Sequence, residues 1–166
     1  MLNRYSFLII LIFTLNCSDN GIGNNDIEVN PKLIKELRSA SSETIQIENN
    51  SFVLDAYLWR DFMPMSPPNG RPLISVNKLI ELNSETIPNN IDLVKQYVIN
   101  EDSIWITDYE DERRNSNSPH IIERSSRNGP KWGPQVNVDV VSKIFDSKTG
   151  ENHYLILKNV FINRTD

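Results

Sequence analysis

Apolar and polar residues alternate with a period of two over much of the chain after residue 44. Such alternation predicts β-strands, because successive side chains of a strand point to opposite faces. Asn49-Asn50 separates Ile45 and Ile47 from the next alternating run, and this pair predicts a tight hairpin because asparagine tolerates positive φ. In that run Phe52, Leu54, Ala56 and Leu58 alternate with Val53, Asp55, Tyr57 and Trp59.

Five later segments continue the strand pattern. They are "PLISVNKLIEL" at 72–82, "DLVKQYVI" at 92–99, "SIWITDY" at 103–109, "QVNVDVVSKIF" at 135–145 and "TGENHYLILKNVFI" at 149–162. In the first of them Ile74, Val76, Ile80 and Leu82 share one side of the strand. The last two flank Lys148-Thr149-Gly150 and are predicted to form an antiparallel hairpin.

About seven strands with short links predict an all-β domain over residues 44–166. The pattern favours an immunoglobulin-like antiparallel β-sandwich, with a small closed barrel as the alternative. Upstream, "NPKLIKEL" predicts a short helix, with Asn30 as its cap and Pro31 at its first position. Residues 18–30, "SDNGIGNNDIEVN", have too little apolar surface to pack and are expected to form a flexible tether.

The chain begins with a positive charge at Arg4 and an apolar run over residues 5–15. About eleven apolar residues are too few for a membrane-spanning helix, which needs roughly 20. The pattern predicts a signal peptide over residues 1–16. A buried helix of the folded domain is the alternative, but no amphipathic stripe separates one face of this segment from another.

Cys17, the only cysteine, follows directly in "TLNCSDN". With the signal before it, this segment resembles the precursor of a bacterial lipoprotein of the spirochaete or Bacteroidetes type. The resemblance implies cleavage before Cys17, attachment of lipid to its sulfur and anchoring in the cell envelope, at the outer membrane or the periplasmic face of a membrane. Asn16 departs from the small residue that is common in this family, and an ordinary secreted protein with a stray thiol is the alternative.

The charge balance argues against nucleic acid as a partner. Removal of residues 1–16 leaves 16 basic and 22 acidic residues, a net charge of −6. No large basic surface is therefore expected.

Two loops rich in proline carry the candidate binding residues. In "YLWRDFMPMSPPNGRPL", residues 57–73, Trp59, Arg60, Asp61 and Met63 precede a stiff loop. They are read either as contacts on a rigid rim that faces a ligand or as a structural corner in which Arg60 or Asp61 binds loop backbone. The pattern favours the corner.

The second loop, "RNGPKWGPQ" at 127–135, holds Trp132 between two Gly-Pro pairs. Trp132 is read either as an exposed anchor for a partner or as a lid over the core, and the lid is favoured. Residues 108–128 between the loops are long, polar and of mixed charge. They predict a functional or mobile connection or, as the favoured reading, a solvated loop. Within them "HIIER" at 120–124 is a candidate for a short edge strand.

No strong catalytic or metal-binding motif is present. His120 and His153 are the only histidines, and no HExxH, CxxC, GxSxG or P-loop pattern occurs. No cofactor and no metal are therefore predicted. We expect a non-catalytic envelope module whose aromatic loops meet a protein or glycan partner. An envelope hydrolase or metal-dependent enzyme, with a site built from histidine and carboxylates, and a purely structural envelope component are the alternatives.

Overall fold

The computed structural model describes residues 25–114 and 117–166, so Cys17 and the predicted signal peptide lie outside the described residues. The described chain is mostly β-structure, which confirms the all-β prediction. It forms one helix and ten strands: β1 Asn25–Val29, α1 Pro31–Ala40, β2 Thr44–Ile47, β3 Asn50–Asp61, β4 Leu73–Glu81, β5 Ile91–Asn100, β6 Ser103–Asp108, β7 Asp111–Arg114, β8 Ile121–Gly129, β9 Asn137–Asp146 and β10 Glu151–Thr165.

All ten strands belong to one curled sheet. Its order is β1-β6-β5-β9-β10-β3-β4-β8-β7, with β2 paired to β3. Strand β10 pairs antiparallel with β9 over residues 151–161 and then parallel with β3 over residues 162–165. Hydrogen bonding is thus continuous where an immunoglobulin-like sandwich has two separate sheets. The sandwich prediction is not confirmed, and ten strands replace the expected seven.

Strand β10 divides the sheet into two halves that face each other. Half A contains β1, β6, β5, β9 and the first part of β10, and half B contains the end of β10 with β3, β4, β8, β7 and β2. The chain also passes from half A to half B between β6 and β7, where only Tyr109 and Glu110 intervene. The amide of Glu110 donates to the carbonyl of Ser125 at 2.9 Å, which brings the segment onto β8.

Helix α1 covers the outer face of half A. Its predicted start is confirmed: the side chain of Asn30 accepts a hydrogen bond from the amide of Leu33 at 3.0 Å, and Pro31 occupies the first turn. Arg38 fixes the other end through Asp139 on β9, with 2.8 Å between Nη2 and Oδ2. The buried residues of this interface are Ile34 and Leu37 of the helix and Ile99, Ile104, Val141 and Ile156 of the sheet.

The expected tether over residues 18–30 is partly a strand. Residues Asn25–Val29 form β1, which pairs antiparallel with β6, so that Ile27 lies opposite Trp105. The partner strand β6 lies more than 70 positions further along the chain, so the composition of 18–30 could not indicate that this pairing would form. Residues 18–24 of the predicted tether lie outside the described residues.

Both predicted hairpins are present. In the first, Ile47 pairs with Asn50, so the turn residues are Glu48 and Asn49, one position earlier than predicted. Glu48 has φ of 53° there. In the second, β9 and β10 meet at Asp146, whose carboxylate accepts hydrogen bonds from Asn90 at 2.6 Å and from Thr149 at 2.9 Å.

The main core lies between the two halves. Half A supplies Ile91, Leu93, Val98, Trp105, Val138, Val140, Ile144 and Leu155, and half B supplies Ile47, Phe52, Leu54, Leu58, Leu73, Leu79 and Ile122. Burial of these side chains is the main favourable contribution to folding, at about 25 cal/mol per Å² of apolar surface removed from water. No disulfide is needed for a core of this size.

A layer of polar side chains crosses the middle of this core. On β4, Ser75 and Asn77 lie between the buried Leu73 and Leu79. The same arrangement recurs on half A, where the residues fully removed from solvent include Gln96 of β5 and Ser142 of β9. These two residues are direct neighbours in the β5–β9 register. The interior is therefore apolar toward both ends and polar between them.

Hydrogen bonds join the polar layer across the two halves. The Nδ2 atom of Asn77 donates to Oε1 of Gln96 and to the hydroxyl of Tyr109, both at 2.7 Å. The Tyr109 hydroxyl also lies 2.6 Å from Oγ of Ser142, and Ser75 donates to Oδ1 of Asn77 at 3.2 Å. Burial raises the pKa of Tyr109 above its ordinary value, so this phenol stays protonated.

We expect the substitution Asn77→Ala to destabilise the fold by about 2 kcal/mol, because a buried amide and a buried phenol each lose a partner. Urea unfolding followed by far-UV circular dichroism measures the change. Asn152→Ala on β10 is the matched control, since Asn152 is exposed, and it should leave the midpoint unchanged. Equal stability of Asn77→Ala and the native chain would contradict a net contribution from the polar layer.

Candidate functional site

The outer face of half B carries a row of side chains that no described helix covers. Strands β3, β4 and β8 lie side by side there, and their registers set Trp59 opposite Ile74, Tyr57 opposite Val76 and Val76 opposite Ser125. Because paired residues share a face, aromatic, aliphatic and polar side chains come together on this surface.

A groove opens on this face around Trp59, and we call it the Trp59 groove. Its volume is about 230 Å³. Tyr57 stands next to Trp59, with ring centroids 5.4 Å apart and ring planes inclined by 33°. Tyr57 is 51% exposed. The residues that line the groove are Trp59, Ile74, Val76, Glu123, Arg124, Ser125 and Arg127.

Ion pairs join β8, the strand that forms the polar wall of the groove, to its neighbours. Arg124 is the register partner of Asn77, so its side chain points to the interior, where it pairs with both carboxylate oxygens of Asp92 on half A, with Nε 3.2 Å from Oδ1. Glu123 lies 3.9 Å from Nζ of Lys78 on the neighbouring strand. The wall therefore presents the charges of Glu123 and Arg127 beside an apolar floor.

The sequence indicated Trp59 as a contact but missed the rest of the groove. Ile74, Val76 and Ile80 do share one side of β4, as predicted, yet this side is the outer face, and Leu82 lies beyond the strand. The inner side carries Ser75 and Asn77 in its middle, which a simple reading assigns to solvent. The sequence did contain a signal for this arrangement: β4 has apolar residues on both sides, which indicates that both faces of the strand contact other groups.

Arg60 points the opposite way from Trp59 and is buried, with 3% of its surface exposed. Its guanidinium donates to four backbone carbonyls. Two belong to the loop after β3, Asn69 and Arg71 (3.0 Å), and two to the loop after β8, Lys131 (3.0 Å) and Gly133 (2.5 Å). Burial lowers the pKa of Arg60 from its ordinary value. Arg60 thus holds two loops together, which agrees with the structural corner that the sequence favoured over a ligand contact.

Phe62 completes this corner. The guanidinium carbons of Arg164 and Arg60 lie 4.1 and 5.1 Å from the centre of its ring. Gly70 packs against the ring so closely that an added Cβ would lie 2.5 Å from it, and Gly70 has φ of 70°. Both facts require glycine at this position.

The other predicted contacts are separated from one another. Asp61 accepts a hydrogen bond from the amide of Met63 at 2.8 Å and lies 3.3 Å from Nε of Arg71, so it stabilises its own loop. Met63 is 50% exposed at the loop surface. Trp132 is half-buried and packs against the main core, in agreement with the lid interpretation. Of the five predicted contacts in the folded domain, only Trp59 lines the groove.

The long connection predicted over residues 108–128 is largely regular structure. It contains β7 and β8, which pair with each other as the outermost strands of half B. Ser125 and Arg127 of the groove come from this segment. Its mixed charge obscured the strand pattern outside "HIIER", and charged residues such as Glu123 and Arg127 lie on β8.

The described residues contain no group of three or more histidine, cysteine or acidic side chains that could hold a metal ion. His120 follows β7 and His153 lies on β10, where its partner in the register is Ile144. Within ranges 25–114 and 117–166, no helix is both long and apolar enough to cross a bilayer.

We expect Arg60→Met to destabilise the domain by about 3 kcal/mol, because four carbonyls lose a charged donor at once. Urea unfolding measures the loss, and limited proteolysis should show new cleavage at residues 62–72 and 130–136. Arg71→Met, which removes an exposed guanidinium from the same loop, is the control and should change little. A native cleavage pattern in Arg60→Met would show that the two loops hold their positions without this side chain.

Comparison with known proteins provides no relative for this site. The chain matches no protein-family model, no curated protein and no solved structure. Function must therefore be argued from the residues and their arrangement.

Proposed function

We propose that this protein is a lipid-anchored protein of the cell envelope whose β-rich domain is a non-catalytic binding module. The predicted signal peptide over 1–16 and the lipoprotein-like Cys17 support the anchor. The Trp59 groove supports binding, and we place the contact with a protein or glycan partner there. Lipid at Cys17 connects the chain to the outer membrane or to the periplasmic face of a membrane.

The observation that carries the binding role is the contrast between the two outer faces. Helix α1 buries Ile99, Val141 and their neighbours on half A. On half B, Tyr57 is half-exposed beside Trp59 above Ile74 and Val76, and no described helix lies over them. Burial of aromatic surface would stabilise the protein by about 25 cal/mol per Å², and this free energy is not gained while the surface stays in water. A partner that covers the groove would recover this free energy, as is usual at interfaces with an aromatic anchor.

The distance from anchor to domain is limited by covalent geometry. Seven residues, 18–24, separate Cys17 from the start of β1. A chain of this length spans at most about 25 Å even when fully extended. A lipid at Cys17 would therefore keep the domain close to the bilayer, and its partner would be a component of the envelope or its surface.

We expect Cys17→Ser to abolish lipid attachment and to release the protein from the membrane fraction, because serine has no sulfur to which the lipid can be attached. Metabolic labelling with a radioactive or alkyne fatty acid, followed by fractionation, measures both effects. Ser18→Ala is the control and should remain labelled. Label that persists in Cys17→Ser, or a native chain without label, would overturn the anchor.

We expect Trp59→Ala to abolish crosslinking of the tagged full-length protein to its envelope partner while the fold is retained, because this substitution removes the largest apolar contact of the groove. In-cell crosslinking with a photoreactive residue at position 57 measures the contact. Met65→Ala is the control, since Met65 is 95% exposed in the loop after β3 and does not line the groove. Crosslinks that are equal in Trp59→Ala and the native chain would move the binding site elsewhere.

A further inference from the structure

The Trp59 groove combines two kinds of surface in one small space. Its floor is apolar and aromatic, formed by Trp59, Ile74 and Val76. Its wall is polar, formed by side chains of β8 that include Ser125 and Arg127. A ligand that fits must therefore have one apolar face and a polar edge.

The aromatic pair favours a ligand with a flat array of C–H groups. Tyr57 and Trp59 stand side by side with their planes inclined by 33°, so together they form a bent platform. The electron-rich face of an aromatic ring attracts weakly positive C–H groups as it attracts cations. Six-membered sugar rings present such a C–H face, whereas a peptide backbone presents amides.

The wall matches the edge of the same ligand. Glu123 supplies carboxylate acceptors, Arg127 supplies guanidinium donors, and Ser125 supplies a hydroxyl that does both. Sugar hydroxyls also donate and accept at once.

The size of the groove restricts the ligand further. Its volume of about 230 Å³ is below the range of roughly 300–1,000 Å³ that is typical of pockets for drug-sized ligands. One six-membered ring fits this space, and a second ring of a chain would lie outside it. The groove is therefore a site for a single ring of a longer or branched molecule.

We propose that the Trp59 groove binds one pyranose ring of an envelope glycan, stacked by its C–H face on Trp59 and hydrogen-bonded at its hydroxyls to the β8 wall. This inference rests on the proposed binding function and names its ligand class. Contact with one ring gives a dissociation constant on the order of 1–10 mM for a free sugar. Several anchored copies on one glycan would bind it more tightly through multivalency.

Saturation-transfer difference NMR tests the proposal on the full-length protein in detergent. The probes are the methyl glycosides of glucose, galactose, mannose and N-acetylglucosamine, each at about 10 mM so that a site of millimolar affinity is well occupied. We expect at least one probe to receive saturation, strongest at the C–H protons of one ring face. Trp59→Ala should remove at least nine-tenths of this signal and Trp59→Phe should retain part of it. Trp132→Phe should leave the signal unchanged.

The outcomes separate the ligand class from the binding role. Absence of saturation for all four probes, or equal saturation in Trp59→Ala, would overturn the sugar site. If Trp59-dependent crosslinks to a protein were still present, the binding function would stand with a protein as its partner. If both the saturation and the crosslinks were independent of Trp59, the proposed binding function and its ligand would fail together.

Discussion

The structure depends on the way in which two halves of one sheet pack against each other around a polar layer. Apolar side chains near both ends of the interior provide most of the driving force, but they do not select one alignment of the halves. Asn77 does so, because its amide must meet Gln96 of half A and Tyr109 of the crossing segment at the same time. A shift of one half by one residue would bury these groups without partners, at a cost of about 1–3 kcal/mol for each group.

The need for hydrogen-bond partners inside the protein also explains why the loops rich in proline are structural. Proline residues lack amide donors and leave their neighbours' carbonyls to be satisfied by other groups. Arg60 satisfies four such carbonyls in two loops at once, and Phe62 fills the space between its guanidinium and that of Arg164. Stiffness in these loops therefore serves the closure of one end of the core. The proposed binding surface lies on the regular strands beside them, where the backbone holds side chains at fixed spacing.

Helix α1 makes the two outer faces of the sheet unequal. It follows β1 directly and is fixed to half A by Arg38 and Asp139, so the helix belongs to the part of the domain nearest the proposed anchor. Half B remains accessible, with Trp59 and Tyr57 held in place by β4 and β10 on either side of β3. A module that is anchored through one half and binds through the other can hold its partner beside a membrane without blocking its own site.

Features that depend on neighbouring residues could be predicted from the sequence. Alternation predicted the strands other than β1, β7 and most of β8. Asn30 and Pro31 predicted the start of the helix, and the turn residues predicted both hairpins, because capping and turn geometry involve atoms a few positions apart. The other features depend on contacts between residues that are far apart in the chain. Strand β1 forms because β6 pairs with it. Arg60 is buried because two loops that are distant in sequence contact it. The side of β4 that carries Asn77 faces the interior, because Asn77 forms hydrogen bonds with Gln96 and Tyr109 there. Both faces of β4 are partly apolar, so periodicity does not indicate which face is buried. Ile74 and Val76 lie on the outer face, where they line the groove.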